Sequence, residues 1–140
     1  MSIPSTPIRR LGMTHRKAIA GRILSALAIL FLLFDSAGKL LRAQPFIDGT
    51  IQLGYQATIV FPLGVILFVC VVTYMIPATS VLGAVLLTGY LGGAVATHAR
   101  VEDPLFSHTL FPIYFGCFIW GGLLLRDSRL RAFLPWTVKP

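Results

Sequence analysis

Four apolar runs of membrane-crossing length, at about 19–41, 57–76, 81–97 and 109–125, alternate with short polar connections. A helix needs ~20 apolar residues to cross ~30 Å of hydrocarbon, and only helices or closed barrels satisfy the backbone there. The pattern predicts an all-α membrane protein, a four-transmembrane-helix bundle. The first run is not uniform. At 100° per residue Gly21, Ser25, Ala28, Leu32, Asp35 and Lys39 fall on one stripe, which is expected to face the bundle. The stretch 43–56 holds Pro45, Gly49 and Gly54, yet Phe46, Ile47, Ile51, Leu53 and Tyr55 are too apolar for a free loop, so a short interfacial helix is expected.

The second run has no charge, and Pro62 is expected to bend it near its start. Pro77-Ala78-Thr79-Ser80 reads as a turn, with Thr79 or Ser80 as N-cap. The third run contains a G-x-x-x-G spacing at Gly89 and Gly93, continued by Ala96. It reads first as close packing within the bundle and second as a homodimer face. In the fourth, Pro112 falls in the first turn, where a missing amide does little harm, and Gly116, Gly121 and Gly122 favour close packing.

Composition agrees. The 140 residues are 56% hydrophobic and 12% charged, against about 25% charged in a soluble domain. One membrane domain, about 19–134, accounts for nearly all of the chain, between a basic tail (1–18), expected to be disordered, and a short C-terminal one (135–140). The basic start followed by an apolar run resembles a signal peptide, but the run continues to Leu41 with no small-x-small cleavage site, so a retained helix is expected.

The net charge of +7 does not indicate nucleic acid, because its distribution follows the spans. Arg9, Arg10, Arg16, Lys17 and Arg22 precede or open the first run. Arg126, Arg129, Arg131 and Lys139 follow the last, and only Lys39, Arg42 and Arg100 lie between. The positive-inside rule then places both termini in the cytoplasm, with Trp120 and Trp136 toward that interface. Cys70 and Cys117 lie inside apolar runs without metal-ligand or redox spacing and read as small buried hydrophobes.

Candidate chemistry collects around Thr97-His98-Ala99-Arg100-Val101-Glu102-Asp103-Pro104 and Ser107-His108-Thr109, which hold two of the three histidines and two of the five acids. Asp35 and Lys39, spaced i,i+4 with the acid first, are expected to pair. Counting along the spans puts Asp35, Lys39, Tyr55, Gln56, His98, Arg100, Glu102, Asp103 and His108 in one polar layer at the outer face. Intramembrane charge marks a candidate site, and the layer reads as a ligand-binding pocket or as an anchor for helix ends. Histidine with a carboxylate suits proton exchange. His98 and His108 match no strong metal pattern and lack a third ligand, so no metal and no catalytic residue is assigned.

The run from Leu82 to Asp127, LGAVLLTGYLGGAVATHARVEDPLFSHTLFPIYFGCFIWGGLLLRD, follows Phe34-Asp-Ser-Ala-Gly-Lys39-Leu and Tyr74-Met-Ile-Pro77-Ala-Thr-Ser-Val. Together they resemble the DoxX-like family of small bacterial membrane proteins. The likeness extends over about 22–135, and the Thr97–Pro104 segment is its most specific mark. It implies a four-helix bundle in the bacterial cytoplasmic (inner) membrane. Two positions depart: Leu67 stands where many relatives carry Glu, so that residue's role does not transfer, and Glu102 stands where Gly is more frequent. Relatives are associated with thiosulfate:quinone oxidoreductase, with other redox partners, or with membrane-protein assembly and export.

Two functions follow as expectations. One is a membrane subunit that supports a quinone-linked redox enzyme, with quinone as its ligand. The other is a non-enzymatic factor that stabilises or exports a partner protein or small apolar molecule. With no flavin, haem or thiol motif, the chain is not expected to be an enzyme on its own.

Overall fold

The computed structural model describes residues 7–132, with side chains from His15 to Arg131. The main helices are α1 (Pro7–Leu40), α3 (Val60–Met75), α4 (Ser80–Arg100) and α5 (Phe111–Arg126). Short elements link or extend them: α2 (Gln44–Gln52), a 3-10 turn (Ala57–Ile59), a π-helical turn (Leu105–Thr109) and α6 (Ser128–Ala132). No strand occurs among the described residues. Four stretches are long and apolar enough to cross a membrane: His15–Leu40, Ala57–Met75, Ser80–Arg100 and Leu105–Arg126. Ile23, Leu30, Phe34, Ile66 and Val69, all exposed, give the bundle an apolar exterior on a scale that water would penalise and lipid accepts. With four crossings, both ends of the bundle lie on one side of the bilayer, the terminal side; α2 and the π-helical turn lie on the other, the loop side.

The first helix is longer than the hydropathy pattern marks. It starts at Pro7, so the basic stretch expected as a tail is helical from that residue. The expected C-terminal tail and Trp136 lie outside the described residues. Pro62 sits in the first turn of α3, after the 3-10 turn, where its missing N–H leaves no helical bond unmade. Thr79 does occupy the N-cap of α4, but its hydroxyl donates back to the Thr73 carbonyl (2.8 Å) and Ser80 donates to Pro77, so neither side chain caps. Asp127 caps α6 instead, its carboxylate accepting from the amide of Arg129 at 2.8 Å.

The helices form a ring in which α1 packs on α3 and α5, and α4 packs on the same two; α1 and α4 make no extended contact. Close approach is made where glycine removes the side chain. A Cβ at Gly21 would lie 2.8 Å from the Gly122 carbonyl oxygen, and one at Gly83 would collide with the Tyr74 backbone. Gly21, Ser25, Ala28 and Leu32 are buried and Asp35 and Lys39 half-buried, so the stripe on α1 is its inner face.

In the terminal half the core is dense, built on Leu67, Val71, Tyr74, Leu87, Ile119 and Leu123. Cys70 belongs to this core, whereas Cys117 is exposed and lines a groove between α4 and α5, not the buried site its hydropathy implied.

Tyr74, fully buried, ties three helices together. Its hydroxyl donates to the Ile119 carbonyl (2.9 Å) and so accepts from Ser25 Oγ (2.8 Å), while the Arg126 guanidinium lies 5.2 Å from its ring centroid. Tyr74→Phe removes both bonds while keeping the ring, and is expected to cost about 1–2 kcal/mol. Thermal unfolding in mild detergent should show a lower midpoint; an unchanged midpoint would make the hydroxyl dispensable.

Candidate functional site

The loop half of the ring holds a half-open cavity of about 440 Å³, lined from α1, α4 and α5 and by the chain between α1 and α3. That is within the ~300–1,000 Å³ usual for small-molecule sites. Its polar groups come from α1, from α2 and the chain entering α3, and from α4. α5 supplies Phe111, Pro112 and Phe115, which with Phe31 of α1 form an aromatic wall. Phe31 and Phe115 are stacked, centroids 4.2 Å apart and planes 20° apart, with Phe111 edge-on to both.

Asp35 and Lys39 meet one turn apart on α1, in a salt bridge that lines the cavity. Their setting is built by Phe46, which folds α2 back over Gly38 with no room for a Cβ there and brings its ring to 6.0 Å from the Lys39 ammonium. Across the cavity Thr97 and His98 project from the end of α4. Thr97 Oγ1 donates to the Gly93 carbonyl (2.9 Å), so the Tyr55 hydroxyl at 3.0 Å donates to Thr97. His98 Nδ1 lies 2.6 Å from the Asp103 carboxylate. An ionised carboxylate only accepts, so Nδ1 carries the hydrogen and a neutral ring keeps Nε2 as its acceptor. This imidazole–carboxylate pair can exchange a proton with an oxygen-bearing ligand. The one cation among the described lining residues, Lys39, is thus matched by Asp35 one turn away, and the His98 ring is held by Asp103.

Arg100 does not line the cavity; it positions a residue that does. Its guanidinium donates to the Leu53 carbonyl (2.6 Å) and lies 5.7 Å from the Tyr55 ring centroid, fixing the loop that aims Tyr55 at Thr97. Gly54 turns this loop with φ +82°, and a Cβ there would stand 3.1 Å from the Arg100 guanidinium.

The other expected members stand apart. Gln56 is exposed at the start of the 3-10 turn, and no hydrogen bond joins its side chain to the site. His108 is exposed, with Nδ1 2.7 Å from Ser107 Oγ; its ring centroid is 6.2 Å from that of His98, and it does not line the cavity. Glu102 is exposed in the turn after α4 with φ 58°, a left-handed conformation that favours glycine and explains why a glycine suits that place. No cluster of three or more metal-ligating side chains occurs among the described residues.

Sequence reasoning overlooked Thr50, Tyr90, the phenylalanines and the true position of Gly89 and Gly93, all in the cavity lining. Tyr90, Ala94, Thr97 and His98 do share a helical face, which was a usable signal. Gly89 and Gly93 correct the packing expectation: a Cβ at either would meet nothing within 4 Å. Leu67, at the departure noted from the sequence, is fully buried in the core.

The family model described as DoxX-like family matches residues 23–122, more than half of the chain and including every cavity-lining side chain. No curated protein and no solved structure matches the chain.

Proposed function

The chain belongs to the DoxX-like family, and from that premise we propose that it is a binding subunit of the bacterial cytoplasmic membrane. It holds a quinone, or a similar small apolar molecule with an oxygen-bearing head, for a redox enzyme at the outer face. The carrying observation is the cavity, whose aromatic wall suits the ring and whose Lys39–Asp35, Tyr55–Thr97 and His98–Asp103 pairs suit its oxygens. The outer location is supported by charge: Arg16, Lys17, Arg22, Arg126, Arg129 and Arg131 gather on the terminal side, which the positive-inside rule assigns to the cytoplasm. Binding and presentation, not turnover, is the role, since electrons would come from the partner.

The test is to purify the full chain in mild detergent and assay co-extracted quinone by native mass spectrometry. Short-chain quinone binding is then measured in nanodiscs. Wild type should carry quinone, and His98→Ala should weaken binding about tenfold or more while circular dichroism stays helical, a hydrogen bond to a polarised group being worth about 1.5–3 kcal/mol. A wild-type protein without quinone, whose deletion leaves quinone-linked respiration untouched, would sink the proposal.

A further inference from the structure

We propose that Gly89 and Gly93 are the shape-selecting residues of this cavity, keeping one wall bare so that a planar ring fits where a side chain would otherwise stand. The inference rests on the binding role proposed above and sharpens its ligand class: an uncharged, flat-headed apolar molecule rather than a fatty acyl chain.

Glycine in a helix is less favourable than alanine. At Gly21, Gly83 and Gly122 that cost is offset by backbone approaching to within a Cβ's reach. At Gly89 and Gly93 nothing approaches within 4 Å; instead both line the cavity. The spacing of four residues puts them one turn apart on one face of α4, where they leave bare backbone beside Tyr90 and Ala94 in the same lining. Other lining comes from Phe31 on α1 and from Phe111 and Phe115 on α5, and α1 and α4 make no extended contact with each other.

Aromatic rings and bare glycine backbone in one cavity leave room for a flat group to lie against the rings. An acyl chain has no planar face to stack and gains nothing from aromatic over aliphatic walls. Charge points the same way. Lys39 is already paired with Asp35, and the neutral His98 ring is bonded to Asp103, so no spare cation greets a carboxylate head, while a neutral ligand's carbonyl can share the Lys39 ammonium and its hydroxyl can donate to His98 Nε2.

The experiment compares wild type, Gly89→Leu, Gly93→Leu and Gly92→Leu, as full chains in phosphatidylcholine nanodiscs. Gly92 is the control: it also has nothing within 4 Å, but it lines the groove between α4 and α5 instead. Probes are a ubiquinone with one isoprene unit and palmitate. Wild type should bind the quinone in preference to palmitate. Leucine at 89 or 93 should weaken quinone binding by about tenfold or more, a few carbon atoms in an apolar pocket being worth that much, and leucine at 92 should leave it unchanged. Gly89→Ala and Gly93→Ala, which add one methyl, give a graded loss and keep the test valid should a leucine variant misfold.

Quinone binding unchanged at 89 and 93, or reduced equally at 92, overturns the inference while leaving the binding role standing. So does a fall in copy number by native mass spectrometry with binding intact, which would make the glycines a contact between two copies of this chain. Wild type that binds neither probe removes the binding role and the inference together.

Discussion

Gly83→Val is expected to prevent the bundle from assembling. A Cβ at this position collides with the backbone nitrogen and Cα of Tyr74, and backbone cannot swing aside as a flexible side chain can. Nor can α3 and α4 simply part, because the turn between Met75 and Ser80 is short and its Thr79 hydroxyl is bonded back to Thr73. Separation would also pull Tyr74 from its bonds to Ser25 and Ile119. Overpacking of this kind costs about 3 kcal/mol or more, a large part of a typical total stability. The measurement is the yield of monodisperse protein after detergent extraction, with a circular-dichroism melt of whatever remains. Gly92→Ala is the matched control, expected to melt no lower than wild type. A normal melt for Gly83→Val would show that the two helices approach less closely than described.

Breaking the Asp35–Lys39 pair is the second large effect, and its two halves are unequal. Asp35→Asn leaves an ammonium on a long stem that can reach toward the loop side. Lys39→Met strands a carboxylate on a short stem one turn deeper in the span. Removing one partner of a buried pair costs about 3–5 kcal/mol; both side chains here keep some exposure, so about 2–4 kcal/mol is expected, with Lys39→Met the worse. Asp35→Asn with Lys39→Met together should recover most of that stability, because neither charge is then left alone. Quinone binding should not recover with it. Denaturation in mixed micelles completes the double-mutant cycle, and quinone titration is run on the same four proteins. Full stability in both single variants, with binding intact, would reduce the pair to helix-end decoration.

The fold was legible because hydrocarbon imposes one strong rule on every span. The i,i+4 pairing of Asp35 with Lys39 and the buried stripe through Ser25 and Ala28 were legible for the same reason, since helical periodicity fixes which residues share a face. Periodicity says nothing about what stands opposite that face. Gly89 and Gly93 have the spacing of a packing motif, yet their neighbour is empty space. The aromatic wall was hidden because Phe31, Phe111 and Phe115 are apolar residues within apolar runs. Arg100 was named, but its task depends on Leu53 and Tyr55, far away in sequence and brought close only by the return of the chain. Gln56 and His108 share a depth with the site, and depth alone does not bring side chains together.

The cavity makes the loop half of the ring an unfinished core. A molecule lodged there would touch both helices and act as the keystone that no side chain supplies, so its binding and the rigidity of the bundle would be a single equilibrium. Loading would then show as a higher unfolding midpoint for the whole bundle.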